Sequence, residues 1–350
     1  MTGAPAGAVD TLDQFGAVAG LPEQVADALD ALEGGVSGLP NHDDVDHVIV
    51  LGMGGSGISG DVLAAVAAPT CPVPIVAVKD YELPGFVGSR TLVFAVSCSG
   101  DTEETCEAAT EAAHAGARLA VVCQGGQLAG LAAEWGVPHV AVPAGIVMPR
   151  TAIGALAVPL LVMLEDIGLY PGARQAVADA VEQLRRRRDE LVQPDSAAEV
   201  LARRIGRTIP LVYGGGPIGA VAASRWKGQV NENAKAPAFA NRLPELCHNE
   251  TAGWGQHGDV TRQVLTLIQL RHDYEHPQIG RRFELVDDLL DEVVGSVHDV
   301  RAGGDGPLAQ LFDLVLTGDF TTLHMAAQAG IDPGPVAALD YIKSGLARVP

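Results

Sequence analysis

Residues 45–61 read VDHVIVLGMGGSGISGD. A β-branched apolar run breaks into glycines and resumes as a small-residue helix, which reads as a strand-turn-helix unit whose strand is covered on both faces. The same alternation continues outward. PVPIVAVKD (72–80), RTLVFAVS (90–97), RLAVVCQ (118–124) and PHVAVP (138–143) read as further strands, with helical stretches around 57–67, 102–115 and 127–135. Strands alternating with helices at this spacing predict a doubly wound parallel sheet.

Beyond it, 152–192 reads as helical and ends in Arg185-Arg186-Arg187-Arg188-Asp189-Glu190, a solvated face or connector. VQPDSAA (192–198) reads as a joint, after which the pattern restarts with strands at 207–215, 262–272 and 296–302. Helices are expected near 217–230, 282–294, 306–330 and 335–348. A length of 350 residues, against about 100–200 per domain, fits two α/β units of related plan. The boundaries read as 1–40 for an N-terminal helical segment, 41–170 for the first domain, 171–195 for a connector and 196–350 for the second.

Forty-three acidic against 23 basic side chains give a formal charge of −20, which disfavours nucleic acid and anionic membrane surfaces as partners. No apolar run is long enough to span a bilayer and the first residues lack signal-peptide character, so the expectation is a soluble cytoplasmic protein. Five scattered cysteines without a C-x-x-C pair suit reduced thiols, with no metal centre and no cofactor implied. Only four lysines occur, Lys79, Lys227, Lys235 and Lys343, so each is informative.

The turn Gly52-Met53-Gly54-Gly55-Ser56-Gly57 satisfies G-x-G-x-x-G, yet the acidic partner of a dinucleotide fingerprint is expected about 20 positions on, whereas Asp80 is the only candidate. Close packing without any ligand is a further reading of these glycines. A second turn, Ser97-Cys98-Ser99-Gly100-Asp101-Thr102, places three hydroxyls beside Gly100 where a strand meets a helix. Helix capping by Ser99 or Thr102 explains part of that set. All of it together makes an anion cradle of hydroxyls and backbone N–H groups, suited to a small phosphorylated ligand.

These loops resemble the sugar isomerase (SIS) domain, a flavodoxin-like fold that binds phosphosugars. Asn231-Glu232-Asn233-Ala234-Lys235 and Pro244-Glu245-Leu246-Cys247-His248-Asn249-Glu250 resemble the signature of the bifunctional phosphoglucose/phosphomannose isomerase family, built from two SIS domains and dimeric. The resemblance implies that Gly55, Ser56, Ser97, Ser99, Thr102 and Arg150 hold the phosphate. It implies that Glu232 is the base moving a proton between C1 and C2, that His248 opens the ring from the neighbouring subunit, and that Lys343 acts on the sugar hydroxyls. From the residues alone, Arg150 reads as a surface arginine, His248 as a structural histidine, and Lys343 as an exposed helix lysine. Lys227 and Lys235 read as orienting the Glu232 helix. The block His272-Asp273-Tyr274-Glu275-His276 reads as surface polarity rather than a zinc set.

The implied activity is interconversion of glucose 6-phosphate, and mannose 6-phosphate, with fructose 6-phosphate through an enediol, in a homodimer with a shared site. The alternatives are a phosphosugar-binding regulatory module without catalysis and a nicotinamide-dependent oxidoreductase. Cys98 and Asp101 stand where relatives commonly have an aromatic residue and Asn, and Gly334 where many have threonine. A carboxylate at 101 is expected to weaken phosphate binding.

Overall fold

The computed structural model describes residues 2–346. Its first sheet contains β1 (His47–Leu51), β2 (Ile75–Val78), β3 (Thr91–Ser97), β4 (Arg118–Cys123) and β5 (His139–Ala141), ordered β2-β1-β3-β4-β5. Every pairing is parallel, and the order is that of a flavodoxin-like sheet. β3 is buried along its whole length, because helices cover both faces and leave no side for polar residues.

The helices up to residue 191 are α1 (Gln14–Ala19), α2 (Leu21–Asp30), α3 (Gly54–Ala67), α4 (Glu103–His114), α5 (Gly126–Trp135), α6 (Ile153–Asp166) and α7 (Ala173–Leu191). The stretch 152–192, read as helical, is two helices, because Gly168 and Gly172 both take left-handed backbone between them.

The second half holds α8 (Ala197–Ile205), β6 (Ile209–Gly215), α9 (Gly216–Asn233), β7 (Phe239–Leu243), α10 (Gly258–Val264), β8 (Leu265–Arg271), α11 (Pro277–Leu290), β9 (Ser296–Arg301), α12 (Pro307–Ala329) and α13 (Ala337–Leu346). Its sheet is parallel, in the order β7-β6-β8-β9. The parallel α/β class expected of both halves is therefore borne out.

Three details differ from the sequence reading. β7 is an additional edge strand in which Phe239, Ala240 and Arg242 are exposed, so it lacks the apolar run that marks a central strand. The segment read as a joint runs directly into α8, whose N-cap Ser196 accepts the Glu199 N–H at 3.3 Å. The strand expected over 262–272 begins only at Leu265, because 258–264 is helical.

Two compact units result, each assembled from separate stretches of chain. One comprises Gly20–Arg186 with Ala302–Asp313 and contains the first sheet. The other comprises the residues up to Ala19, Arg187–Arg301 and those from Leu314 onward, with the second sheet. In that unit Phe15 packs against Phe320 and His324, with ring centroids 6.4 and 5.2 Å apart. No helix among the described residues is long and apolar enough to cross a membrane.

Candidate functional site

In a sheet ordered β2-β1-β3-β4-β5 the crevice for a ligand opens beyond the carboxyl ends of β1 and β3, where the strand order reverses. Both sequence-identified loops leave from there. The glycines of the first loop divide into two roles. A Cβ on Gly57 would lie 2.5 Å from the Gly52 carbonyl oxygen, and one on Gly52 would lie 2.9 Å from that of Val96, so these two serve close packing. A Cβ on Gly55 would instead lie 2.8 Å from the backbone of Pro149 and Arg150, so its absence lets the first loop meet that turn.

The second loop is locked to the first. Ser56 is buried and its Oγ accepts the Cys98 N–H at 3.0 Å. The Ser97 and Thr102 hydroxyls lie 2.8 Å apart, and Ser97 Oγ accepts the Gly100 N–H at 3.0 Å. Thr102 occupies the N-cap position of α4 but makes no side-chain cap bond, which corrects the capping reading. Ser99 is exposed on the same loop and accepts the Asp101 N–H at 3.2 Å. Gly100, at φ +83°, passes against the Gly125 carbonyl where no side chain fits.

Arg150 is 2% exposed, which overturns its reading as a surface arginine. It sits in a 3-10 turn, Pro149–Thr151, at the head of α6. Gln24, which the sequence reading missed, fixes that turn. Its Oε1 accepts the Gly154 and Ala155 N–H groups at 2.9 and 3.1 Å, and its Nε2 donates to the Thr151 carbonyl at 2.8 Å. One unit thus brings together Gly55, Ser56, Ser97, Thr102 and Arg150 at the N-terminal ends of α3 and α4, whose dipoles favour an anion.

The two loop departures have local explanations. The Asp101 carboxylate accepts the Gln127 N–H at 2.8 Å, in the first turn of α5. That bond caps a neighbouring helix. Burial pushes the Cys98 thiol up to about 11, so it stays neutral at physiological pH. Asp80, the dinucleotide candidate, is exposed and accepts the N–H of its own neighbour Tyr81 at 2.8 Å.

The proton-transfer candidates belong to the other unit. Glu232 is half-buried in the last turn of α9. That helix is held against α12 by a ladder of polar contacts. Arg225 pairs with Asp319 at 2.8 Å, Gln229 donates to the same carboxylate at 2.8 Å, and Asn233 donates to Thr322 at 3.0 Å. Trp226 Nε1 donates to the Leu314 carbonyl at 2.8 Å, and its ring lies where a side chain on Gly318 would be. Arg225, Gln229 and Asn233 follow one another at four-residue intervals on α9, the spacing of one helix face.

His248 is exposed on the 3-10 turn Glu245–His248. The following turn is anchored by Glu250, whose carboxylate accepts bonds from the Tyr213 hydroxyl and the Asn241 amide. Burial first, and the bond to Glu250 next, push the Tyr213 hydroxyl far above its usual range, so it remains a donor. Lys343 is exposed on α13, a helix with no buried residue.

The block 272–276 is not surface polarity throughout. His272 is buried, with Nε2 2.8 Å from the Gly215 carbonyl and Nδ1 accepting the Tyr274 N–H at 3.2 Å. Glu275 pairs with Arg271 at 2.9 Å, and His276 caps α11 through the Gln278 N–H. Its polar groups are spent on the chain itself.

Two flavodoxin-like parallel sheets, one with two interlocked hydroxyl-bearing loops at its switch point, define a tandem SIS architecture. Tagatose-6-phosphate ketose/aldose isomerase from Escherichia coli superposes with a TM-score of 0.70 at 16% identity, over 92% of this chain and 95% of that one. Residues 194–346 match the family described as bacterial phospho-glucose isomerase C-terminal SIS domain. The bifunctional phosphoglucose/phosphomannose isomerase of Caldicellulosiruptor bescii is 34% identical over 342 residues, covering 96% of this chain and 99% of its own length. The enzyme of the same name from Thermoplasma acidophilum is 33% identical over 302 residues, covering 85% and 88%. The chain belongs to the bifunctional phosphoglucose/phosphomannose isomerase family.

Proposed function

We propose that the protein interconverts glucose 6-phosphate and mannose 6-phosphate with fructose 6-phosphate. The observation that carries this reading is the interlocked loops of Ser56, Ser97 and Thr102, with the turn of buried Arg150 packed on Gly55, in a chain of this family. Gly55 and Ser99 complete the set around the phosphate. Hydroxyls, helix N-termini and one guanidinium suit a phosphate dianion.

With the phosphate held, His248 opens the sugar ring. Glu232 removes the C2 proton of the aldose to give the enediol and returns it to C1 of the ketose, while Lys343 supports the oxygens between which charge shifts. The epimers differ only at C2, and both converge on the same enediol once that proton is gone. The exposure of His248, and of Leu339, Tyr341, Ile342 and Leu346 on the helix of Lys343, supports a homodimer in which a second copy completes the site. Five unbridged cysteines suit a reducing compartment, and we assign the protein to the cytoplasm.

A coupled assay with chelator present tests the reading. Turnover of both aldoses is expected, and Glu232→Gln should lose about 10²- to 10⁴-fold in kcat. Fructose 6-phosphate binding without turnover would identify a regulatory module instead, and nicotinamide-dependent oxidation an oxidoreductase.

A further inference from the structure

The backbone just after Glu232 is unusual. α9 ends at Asn233, and Lys235 takes φ +54°, a left-handed conformation that glycine ordinarily supplies where a helix stops. Asn231 holds the reversed chain by donating to the Ala236 carbonyl at 2.9 Å. A lysine is costlier here than glycine, so its side chain is the reason to look further.

That side chain reaches in two directions. Its ammonium donates to the Glu232 carbonyl, and at 3.1 Å to the carbonyl of Pro333. Pro333 lies in a turn that is itself fastened down. The Asp332 carboxylate accepts the Thr11 hydroxyl at 2.6 Å and the Gly334 N–H at 3.0 Å, and a Cβ on Gly334 would lie 2.8 Å from Leu12. Packing against Leu12 therefore explains glycine at this position. α13, with Lys343, starts three residues later at Ala337.

We propose that Lys235 is a positioning residue, whose ammonium ties the end of the Glu232 helix to the turn from which the Lys343 helix departs. The proposal rests on Glu232 as the base. It separates two lysines that sequence alone treats alike, since Lys227 lines a surface cavity of about 490 Å³ with Ser224, Asn241 and Arg242.

Glycine at 235 separates the backbone from the ammonium. Lys235→Gly relieves the left-handed strain, so its melting temperature should equal or exceed that of the native protein. Its kcat with fructose 6-phosphate should nonetheless fall about tenfold with KM nearly unchanged, as expected for a displaced catalytic group. Lys235→Met should match that loss, and Lys235→Arg should recover part of it. Native kcat in Lys235→Gly would overturn the proposal, as would parallel losses of kcat and melting temperature, which mark a merely structural lysine. Native activity in Glu232→Gln, in the same assay, would overturn the base assignment instead.

Discussion

The two sheets each have a switch point, one between β1 and β3 and the other between β6 and β8, and they treat it in opposite ways. Beyond β1 and β3 lie hydroxyls, helix N-termini and Arg150. Beyond β6 and β8 the crevice is filled from within. His272 bonds the Gly215 carbonyl at 2.8 Å, and the Glu275 carboxylate accepts the His272 backbone N–H at 3.1 Å while pairing with Arg271. A Cβ on Gly215 would lie 3.1 Å from Glu275 Oε1. The second sheet thus carries its own anion at the place where the first presents hydroxyls and helix N-termini. One fold used twice thus fills one switch point with its own side chains.

Removing the internal anion is the strongest way to break this comparison. Arg271 and Glu275 are both mostly buried, and the guanidinium also lies 4.1 Å above the Phe283 ring. Glu275→Ala leaves that charge unpaired, so chemical denaturation should report a loss of about 3–5 kcal/mol, with KM for fructose 6-phosphate unchanged in the protein that remains folded. A raised KM would mean that the second crevice also serves the substrate.

The first crevice should respond the other way. Arg150→Met preserves most of the buried volume and removes the guanidinium, so steady-state kinetics should show KM for fructose 6-phosphate raised about 10- to 100-fold. Unchanged KM would remove Arg150 from the phosphate site. The smallest effect concerns Asp101, a carboxylate beside the open crevice but turned to the start of α5. Asp101→Asn keeps an acceptor for Gln127 and loses only the charge at a helix N-terminus, about 0.3–1 kcal/mol in stability, with KM unaltered. A several-fold lower KM would show that its charge does reach the phosphate.

Much of the first crevice was legible because its chemistry is local. Gly55 and Ser56 open α3 just after β1, and Ser97 and Thr102 flank the short turn between β3 and α4, so all four lie at strand-to-helix junctions that sequence marks with glycine and serine. Arg150 was not legible from its own neighbours. Its burial depends on Gln24, more than a hundred residues away, and on a glycine at 55. α8 was missed although Ser196 and Glu199 carry the spacing of a capping box, and Glu199 also accepts the Asp195 N–H at 2.9 Å. β7 was hidden because its exposed edge position relaxes the apolar pattern. The filling of the second crevice was missed because His272 and Glu275 read as surface residues unless Gly215 on β6 and Arg271 on β8 are known as their partners.

The pairing of Phe15 with Phe320 and His324 bears on how the chain is made. Phe15 leaves the ribosome roughly 300 residues ahead of its partners, a wait of about 15–60 s at 5–20 residues per second. Gly20–Arg186 is synthesised well before the segment Ala302–Asp313 that belongs to the same unit. Neither unit can therefore be finished as translation passes it. Both close only once the residues from Ala302 to His324 have emerged, and until then Phe15 depends on remaining soluble without the surface that will cover it.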